Sequence, residues 1–304
     1  MSKELNLMHG WLKKDYPEQA DYLLQLCVDD SGEKPLLFEQ VELAIDYFDR
    51  DRNRFSTELT EALLSTYLYF VAALFCLDAI VDGHPRGLNN DIKTSDLAKS
   101  MTLFIAGGLT RLNKFLSLGN INNYDMQHRI FSLFNEHILA LNLEEKSFNN
   151  LENIEPRSDY KNIIGRANLC LFMFEIVALA CRTQVSQKFV NTFNEFLYFT
   201  QLGDDISDWR SDFEHGQYTS FLKQSISKFE NIPALYELEQ YIYLSGIYES
   251  WLAQIVIGLD AVIGDFNSIS RTDTLLMKYI VSKRDSAKQT LASFINEKKV
   301  FCEV

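Results

Sequence analysis

The run Gln201-Leu202-Gly203-Asp204-Asp205-Ile206-Ser207-Asp208-Trp209-Arg210-Ser211-Asp212 places carboxylates at Asp204, Asp208 and Asp212, an i, i+4, i+8 ladder. On an α-helix four residues turn through about 400°, so the three side chains climb one face roughly 6 Å apart. Like charges at that spacing repel and weaken an isolated helix. Stacked carboxylate oxygens suit a hard cation such as Mg²⁺, which would relieve the repulsion. The alternative is a solvated acidic face. Walking back from Asp204 in steps of three and four reaches Leu197, Phe193 and Val190, so the acids prolong an apolar stripe. A solvated stripe continues as polar residues, whereas this one runs out of an interior.

A second pair stands in Asp78-Ala79-Ile80-Val81-Asp82, with Val71, Leu74 and Phe75 on the face behind it and a Gly-His-Pro turn following. Two acids in the last turn of a helix meet the negative end of its dipole and call for a counter-charge, unless they simply fray into solvent. Taken together, the two acid groups are expected to face each other across the mouth of a helical cavity. Mg²⁺ held there would bind a diphosphate, bridging its oxygens and neutralising charge as a C–O bond breaks. The allylic cation left behind needs a dry chamber walled by aromatic faces. Phe, Tyr and Trp make up 13% of the chain. Wall candidates are Tyr67, Phe70, Phe75, Phe172, Phe174, Phe193, Phe196 and Trp209, each of which can equally be ordinary core.

The elements that must carry these residues are helices. Five prolines and thirteen glycines in 304 residues, with no convincing two-residue alternation, predict an all-α chain. Helices are expected at 3–14, 17–29, 36–50, 57–82, 93–117, 123–143, 159–182, 187–213, 218–227, 233–263 and 273–297. Breaks are expected at Gly32 to Pro35, Gly83 to Gly87, Leu118 to Asn120 and the polar stretch Glu144 to Pro156. Ser186 is a suitable N-cap for the ladder helix. The stretch 57–82 is apolar almost all round, and so is 163–181, whose one acid is Glu175. Both belong at the centre of a bundle of more than four helices. No break is long enough for a domain linker, so one domain over 1–304 is expected.

Composition narrows the function. Forty-two acidic against 29 basic residues give a formal charge of −13, which argues against a nucleic-acid surface. Cys27, Cys76, Cys170, Cys181 and Cys302 are scattered without a CxxC spacing and read as small buried hydrophobes in a reducing compartment. Residues Met1 to Lys14 lack a signal-peptide core. The longest uncharged stretch, Ala62 to Leu77, is 16 residues, short of the roughly 20 that span a bilayer. A soluble cytoplasmic protein without stable membrane insertion is expected. His84 and His215 follow the two acid groups with no metal-type spacing and read as turn residues.

These residues resemble the class I terpenoid synthase superfamily, whose members carry one acid motif on a central helix and a second on a facing helix. Asp78 to Asp82 is similar to the DxxxD form of squalene and phytoene synthases. It lacks the doubled Asp of many terpene cyclases and chain-elongating prenyltransferases, since Leu77 precedes Asp78. The second motif resembles two patterns in one register. As the cyclase pattern (N/D)Dxx(S/T)xxxE it has Asp204, Asp205, Asp208 and Asp212, with Asp replacing the Ser and the Glu. As the squalene/phytoene pattern it has Gln201, Asp204, Asp208, Asp212 and Gly216.

The resemblance implies a single-domain α-helical bundle with a central cavity. Asp78, Asp82, Asp204, Asp208 and Asp212 would be catalytic metal ligands for Mg²⁺, about three ions with substrate bound. Ile163 to Leu169 loosely resembles the segment where members place a diphosphate-contacting Lys or Arg, which points to Arg166; a structural salt bridge is the equal alternative. Arg157, Lys278 and Arg271 are weaker candidates. Gln201, Phe75, Phe172, Phe193 and Tyr67 complete the expected substrate contacts. The implied activity is a terpene synthase that ionises an isoprenyl diphosphate and releases diphosphate. Head-to-head condensation of two prenyl diphosphates and a non-catalytic helical scaffold with acidic binding surfaces are the alternatives. Dimers are common among members, which leaves a homodimer open.

Overall fold

The computed structural model describes residues 3–18, 20–25, 39–51, 53–82, 93–121, 123–148, 160–269 and 273–302. Among these residues there is no strand. Two compact units form: Met1–Asn135 with Leu169–Val185, and Glu136–Asn168 with Ser186–Val304. The helices α6 (Asn123–Phe148) and α7 (Tyr160–Ala180) each give a part to both units.

The first unit is organised by α4 (Thr57–Asp82), whose Leu63, Tyr67, Phe70, Ala72, Ala73 and Cys76 are fully enclosed. It packs along α5 (Thr94–Leu118). The approach is close because α5 presents two glycines. A Cβ on Gly107 would stand 2.5 Å from the Tyr69 ring, and one on Gly108 would stand 2.6 Å from the Phe70 ring. Gly108→Ala is therefore expected to destabilise the chain by about 1–2 kcal/mol, overpacking outweighing the better helix propensity of Ala. Denaturant unfolding measures this, and a stabilised variant would contradict the packing argument.

At the other side of the Tyr69 ring, α1 (Lys3–Asp15) docks through one carboxylate. The Tyr69 hydroxyl donates to Asp15 Oδ2 at 2.7 Å, and Arg111 donates to the same oxygen. The Arg111 guanidinium lies 4.6 Å from the Tyr69 ring centroid, a cation–π contact. A short α2 (Ala20–Gln25) packs against α1. The buried Asp49 carboxylate at the end of α3 (Glu39–Asp49) accepts from the backbone N–H groups of Asn53, Arg54 and Phe55 at 3.1, 2.9 and 2.9 Å. That tie closes the turn leading to α4. Glu175, the lone acid of its stretch, is held by Arg129 Nε at 2.9 Å.

In the second unit Ser186 caps α8 (Gln187–Ser207), its Oγ accepting from the Phe189 N–H at 3.1 Å. The helix buries Phe189, Phe193 and Phe196; the rings of Phe189 and Phe193 stack with centroids 5.6 Å apart. It packs against α12 (Ile247–Asn267), where a Cβ on Gly258 would overlap the Phe199 ring, and against α13 (Leu275–Cys302). Short helices α9 (Trp209–Glu214), α10 (Ser220–Ile226) and α11 (Leu235–Leu244) complete it.

Several expected boundaries differ, among them the end of the last helix, which runs to Cys302 rather than to 297. The helix expected over 187–213 divides at Asp208, and that over 233–263 divides at Ser245-Gly246. Gly246 takes φ +85°, a left-handed conformation that glycine adopts without steric cost. The expected break beginning at Glu144 is instead the last turn of α6, which continues to Phe148. The expected breaks at Gly32 to Pro35 and Gly83 to Gly87, with His84, lie outside the described residues.

Among the described residues three helices are long and apolar enough to cross a bilayer by length and composition: Thr57–Val81, Ile163–Ala180 and Ile247–Asn267. An uncharged run of 16 residues understates them, because one or two charges do not remove a helix from that class. Within the fold the first two have 67% and 72% of their apolar windows buried, so protein already covers them, against 39% for the third.

Candidate functional site

The second unit gathers an acid-rich constellation from α6, α7 and α8. Its foundation is Gly165: a Cβ there would stand 2.8 Å from the Ala140 Cβ, so α7 lies directly against α6. The adjoining residues lock that contact. His137 Nδ1–H donates to the Arg166 carbonyl at 3.2 Å, and Asn168 Nδ2 donates to Glu136. The side chain of Arg166 then reaches Glu144, its Nη1 donating to both carboxylate oxygens at 2.8 Å. Of the two roles the sequence leaves open for Arg166, an ion pair inside its own fold is present.

Along α8 Phe193 and Leu197 are buried and Val190 is half-buried, while Asp204 on the same face is exposed. Asp208 is exposed and Asp212 half-buried. The helix formally ends at Ser207, with Asp208 at φ −97°, ψ 3°. Backbone hydrogen bonding nevertheless carries through the ladder: Asp208 N–H donates to the Asp204 carbonyl at 2.9 Å, and Asp212 N–H to the Asp208 carbonyl at 3.0 Å. The i, i+4, i+8 register survives the break.

A strongly perturbed acid stands next to the ladder. Burial pushes the Asp205 carboxyl up to about 8, and the negative charges of Glu144 and Asp212 push the same way. Gln201 Nε2 donates to Asp205 Oδ1 at 3.3 Å and, with Arg166, opposes the rise. Gln201, expected to meet substrate, is thus engaged with Asp205. Asp205 and Glu144 are the members that spacing alone does not single out. Asp205 sits one step off the ladder, and Glu144 stands where a break is expected. The clue to both is an Arg on an otherwise apolar helix, which must find acids.

In the first unit, Asp78 is half-buried near the end of α4, and Asp82 is its last residue, with a side chain outside the described set. Phe75 keeps accessible surface, whereas Tyr67 and Phe172 are fully enclosed, as Phe193 is in the second unit. The Tyr67 hydroxyl lies 3.9 Å from Cys170 Sγ. Arg157 and Arg271 lie outside the described residues, and Lys278 is exposed on α13. His215 ends α9, its Nδ1–H donating to the Ser211 carbonyl at 2.8 Å. An open groove of about 500 Å³ on the second unit is lined by Phe229, Glu237, Gln240, Tyr241, Leu244 and Ser245, with no expected site residue among them.

The donors are carboxylate oxygens, the chemistry that Mg²⁺ selects. Among the described residues no three Asp, Glu, His or Cys side chains close into a ready-made cation cage. Mg²⁺ is usually held by one or two carboxylates, with waters and substrate phosphates completing the shell. The ladder acids, Asp204 and Asp208 exposed and Asp212 half-buried, fit that open mode.

No family model matches the sequence, and no curated protein matches it with significance. Solved structures do match. A heptaprenyl diphosphate synthase from Staphylococcus aureus superposes with a TM-score of 0.67 at 13% identity, covering 93% of this chain and 97% of its own. A polyprenyl synthase from Roseobacter denitrificans gives 0.62 at 10% identity, over 95% of this chain and 99% of its own. A geranylgeranyl pyrophosphate synthase from Lactobacillus brevis gives 0.62 at 12% identity, over 96% of each. At these identities the likeness shows the fold alone: the chain has the all-α fold of the polyprenyl synthases.

Proposed function

We propose that this chain is a Mg²⁺-dependent class I terpene synthase, ionising an isoprenyl diphosphate and releasing a terpene and diphosphate. The observation that carries the proposal is the carboxylate ladder, Asp204, Asp208 and Asp212, on a fold whose solved examples include heptaprenyl and geranylgeranyl diphosphate synthases. In this reading the ladder holds Mg²⁺, and Asp78 and Asp82 are the ligands that α4 contributes. When bound, Mg²⁺ supplies Lewis acidity that draws charge off the departing diphosphate. Arg166 donates hydrogen bonds to the diphosphate, and Gln201 holds Asp205 in place. Phe75 is the first candidate for a cation-facing ring; Tyr67, Phe172 and Phe193 would meet substrate only after repacking. The same reading makes the chain a soluble cytoplasmic enzyme, in keeping with the free thiols of Cys76, Cys170 and Cys181.

A second reading, chain elongation with isopentenyl diphosphate, is favoured by the identities of the structural neighbours. The single Asp at the head of the first motif weighs against it. Incubation with C10, C15, C20 and C25 diphosphates and Mg²⁺, with and without isopentenyl diphosphate, separates the readings by gas chromatography. A hydrocarbon or alcohol formed from one substrate supports the terpene synthase. Longer diphosphates that require isopentenyl diphosphate support elongation, and C30 or C40 dimers support head-to-head condensation. No Mg²⁺-dependent diphosphate release leaves the scaffold.

A further inference from the structure

The functional reading assigns Arg166 to the diphosphate, yet Arg166 is paired with Glu144. The pair is end-on, one guanidinium nitrogen serving both carboxylate oxygens, rather than the two-nitrogen fork that Arg forms with carboxylates in its strongest contacts. Both side chains keep accessible surface, 24% for Arg166 and 21% for Glu144, so neither is sealed in place. The backbone beneath them is fixed, by contrast. The Gly165–Ala140 contact, the His137 bond to the Arg166 carbonyl and the Asn168–Glu136 bond pin α7 to α6 on either side of Arg166. Motion at this point is therefore motion of the guanidinium.

We infer that Glu144 is a positioning residue that competes with the diphosphate for Arg166. It holds the guanidinium in the empty enzyme, yields it when a Mg²⁺-bound diphosphate arrives, and takes it back as diphosphate leaves. The inference rests on the functional reading above. A diphosphate carries more negative charge than one carboxylate, so it wins the guanidinium while bound. Glu144 then stands beside it as an unfavourable like charge, which hastens release. Removing the Glu144 charge acts twice in one direction: it takes a competing carboxylate off Arg166 Nη1 and removes an anion near the diphosphate. A mere brace for Arg166 would act the other way, since its loss would loosen the contact and weaken binding.

Calorimetric titration of the full chain with inorganic diphosphate in MgCl₂ separates these. Glu144→Gln is expected to lower the Kd about fivefold, and Glu144→Asp to keep it near the wild-type value. In steady state with an allylic diphosphate, Glu144→Gln lowers both KM and kcat, as slower release requires. In an Arg166→Gln background the gain in affinity shrinks, because part of it is the carboxylate no longer competing for Arg166 Nη1. Glu230→Gln, at an exposed acid of the same unit outside the constellation, leaves the Kd unchanged. Equal or weaker binding by Glu144→Gln, with an unaltered helical circular dichroism spectrum, overturns the competition and leaves the functional reading standing. An equal gain in Glu230→Gln also overturns it, by exposing a general charge effect. A wild-type chain that binds no Mg²⁺-diphosphate overturns both.

Discussion

Asp208→Asn lowers Mg²⁺-dependent diphosphate release by about 10³-fold while leaving the fold intact. The expected loss is large because the middle rung of the ladder can share a cation with either neighbour, and a neutral amide is a far poorer ligand for Mg²⁺. Loss of a positioned charge-stabilising group costs on the order of 10²–10³ in rate, and a ligand that also recruits the metal stands at the upper end. The stability cost is small for reasons visible in the structure. Asp208 is exposed, its main chain makes the bonds that connect Asp204 to Asp212, and Asn tolerates its φ of −97°. A surface change of this kind stays within about 0.5 kcal/mol. Coupled-enzyme detection of diphosphate measures the rate, and thermal unfolding measures the fold. An unchanged release rate would mean that the ladder is an acidic surface and that the metal acting in catalysis is held by other residues.

Much of the architecture was legible because helices announce themselves through periodicity. The all-round apolar stretch 57–82 is α4 with the expected bounds, and Ser186 caps α8 through the predicted hydroxyl. What periodicity misses is tertiary. An apolar face continues on both sides of Gly246, so no change of pattern marks the left-handed turn there. The polar residues after Leu143 resemble a loop, yet Glu144 is helical and reaches an arginine on another helix. Helix contacts decide that, and a single sequence does not display them. The ladder was legible as spacing, whereas the burial that singles out Asp205, and the opposing influences of Glu144 and Arg166 on it, arise from packing. Spacing finds the acids; packing decides which of them is held away from water.

That half-buried acid makes the second large effect one of stability and pH. Asp205→Asn is expected to stabilise the chain, by an amount that depends on pH in a defined direction. The carboxyl is raised from its ordinary 3.8 to about 8. Between those values the folded chain keeps a proton that the unfolded chain has lost, so wild-type stability falls as pH rises from about 4 to 8 and then levels. A gap of about four pKa units corresponds to roughly 5–6 kcal/mol. The side chain is only partly buried, and water screens part of that, which leaves about 2–4 kcal/mol. Asn reproduces the neutral acid and can still accept from Gln201, so it escapes the loss. Relative to wild type its advantage is near zero at pH 4, grows through neutrality and is complete above pH 8. Mg²⁺ acts on the same term, since a cation beside the carboxylate offsets its burial and the repulsion from Glu144 and Asp212. Stabilisation by Mg²⁺ should therefore increase with pH in the wild type and be weaker in Asp205→Asn. Thermal unfolding of both proteins from pH 4 to 9, with and without MgCl₂, gives the comparison. Parallel profiles would show that the carboxylate at 205 is solvated after all, and that the constellation around Arg166 is looser than its hydrogen bonds indicate.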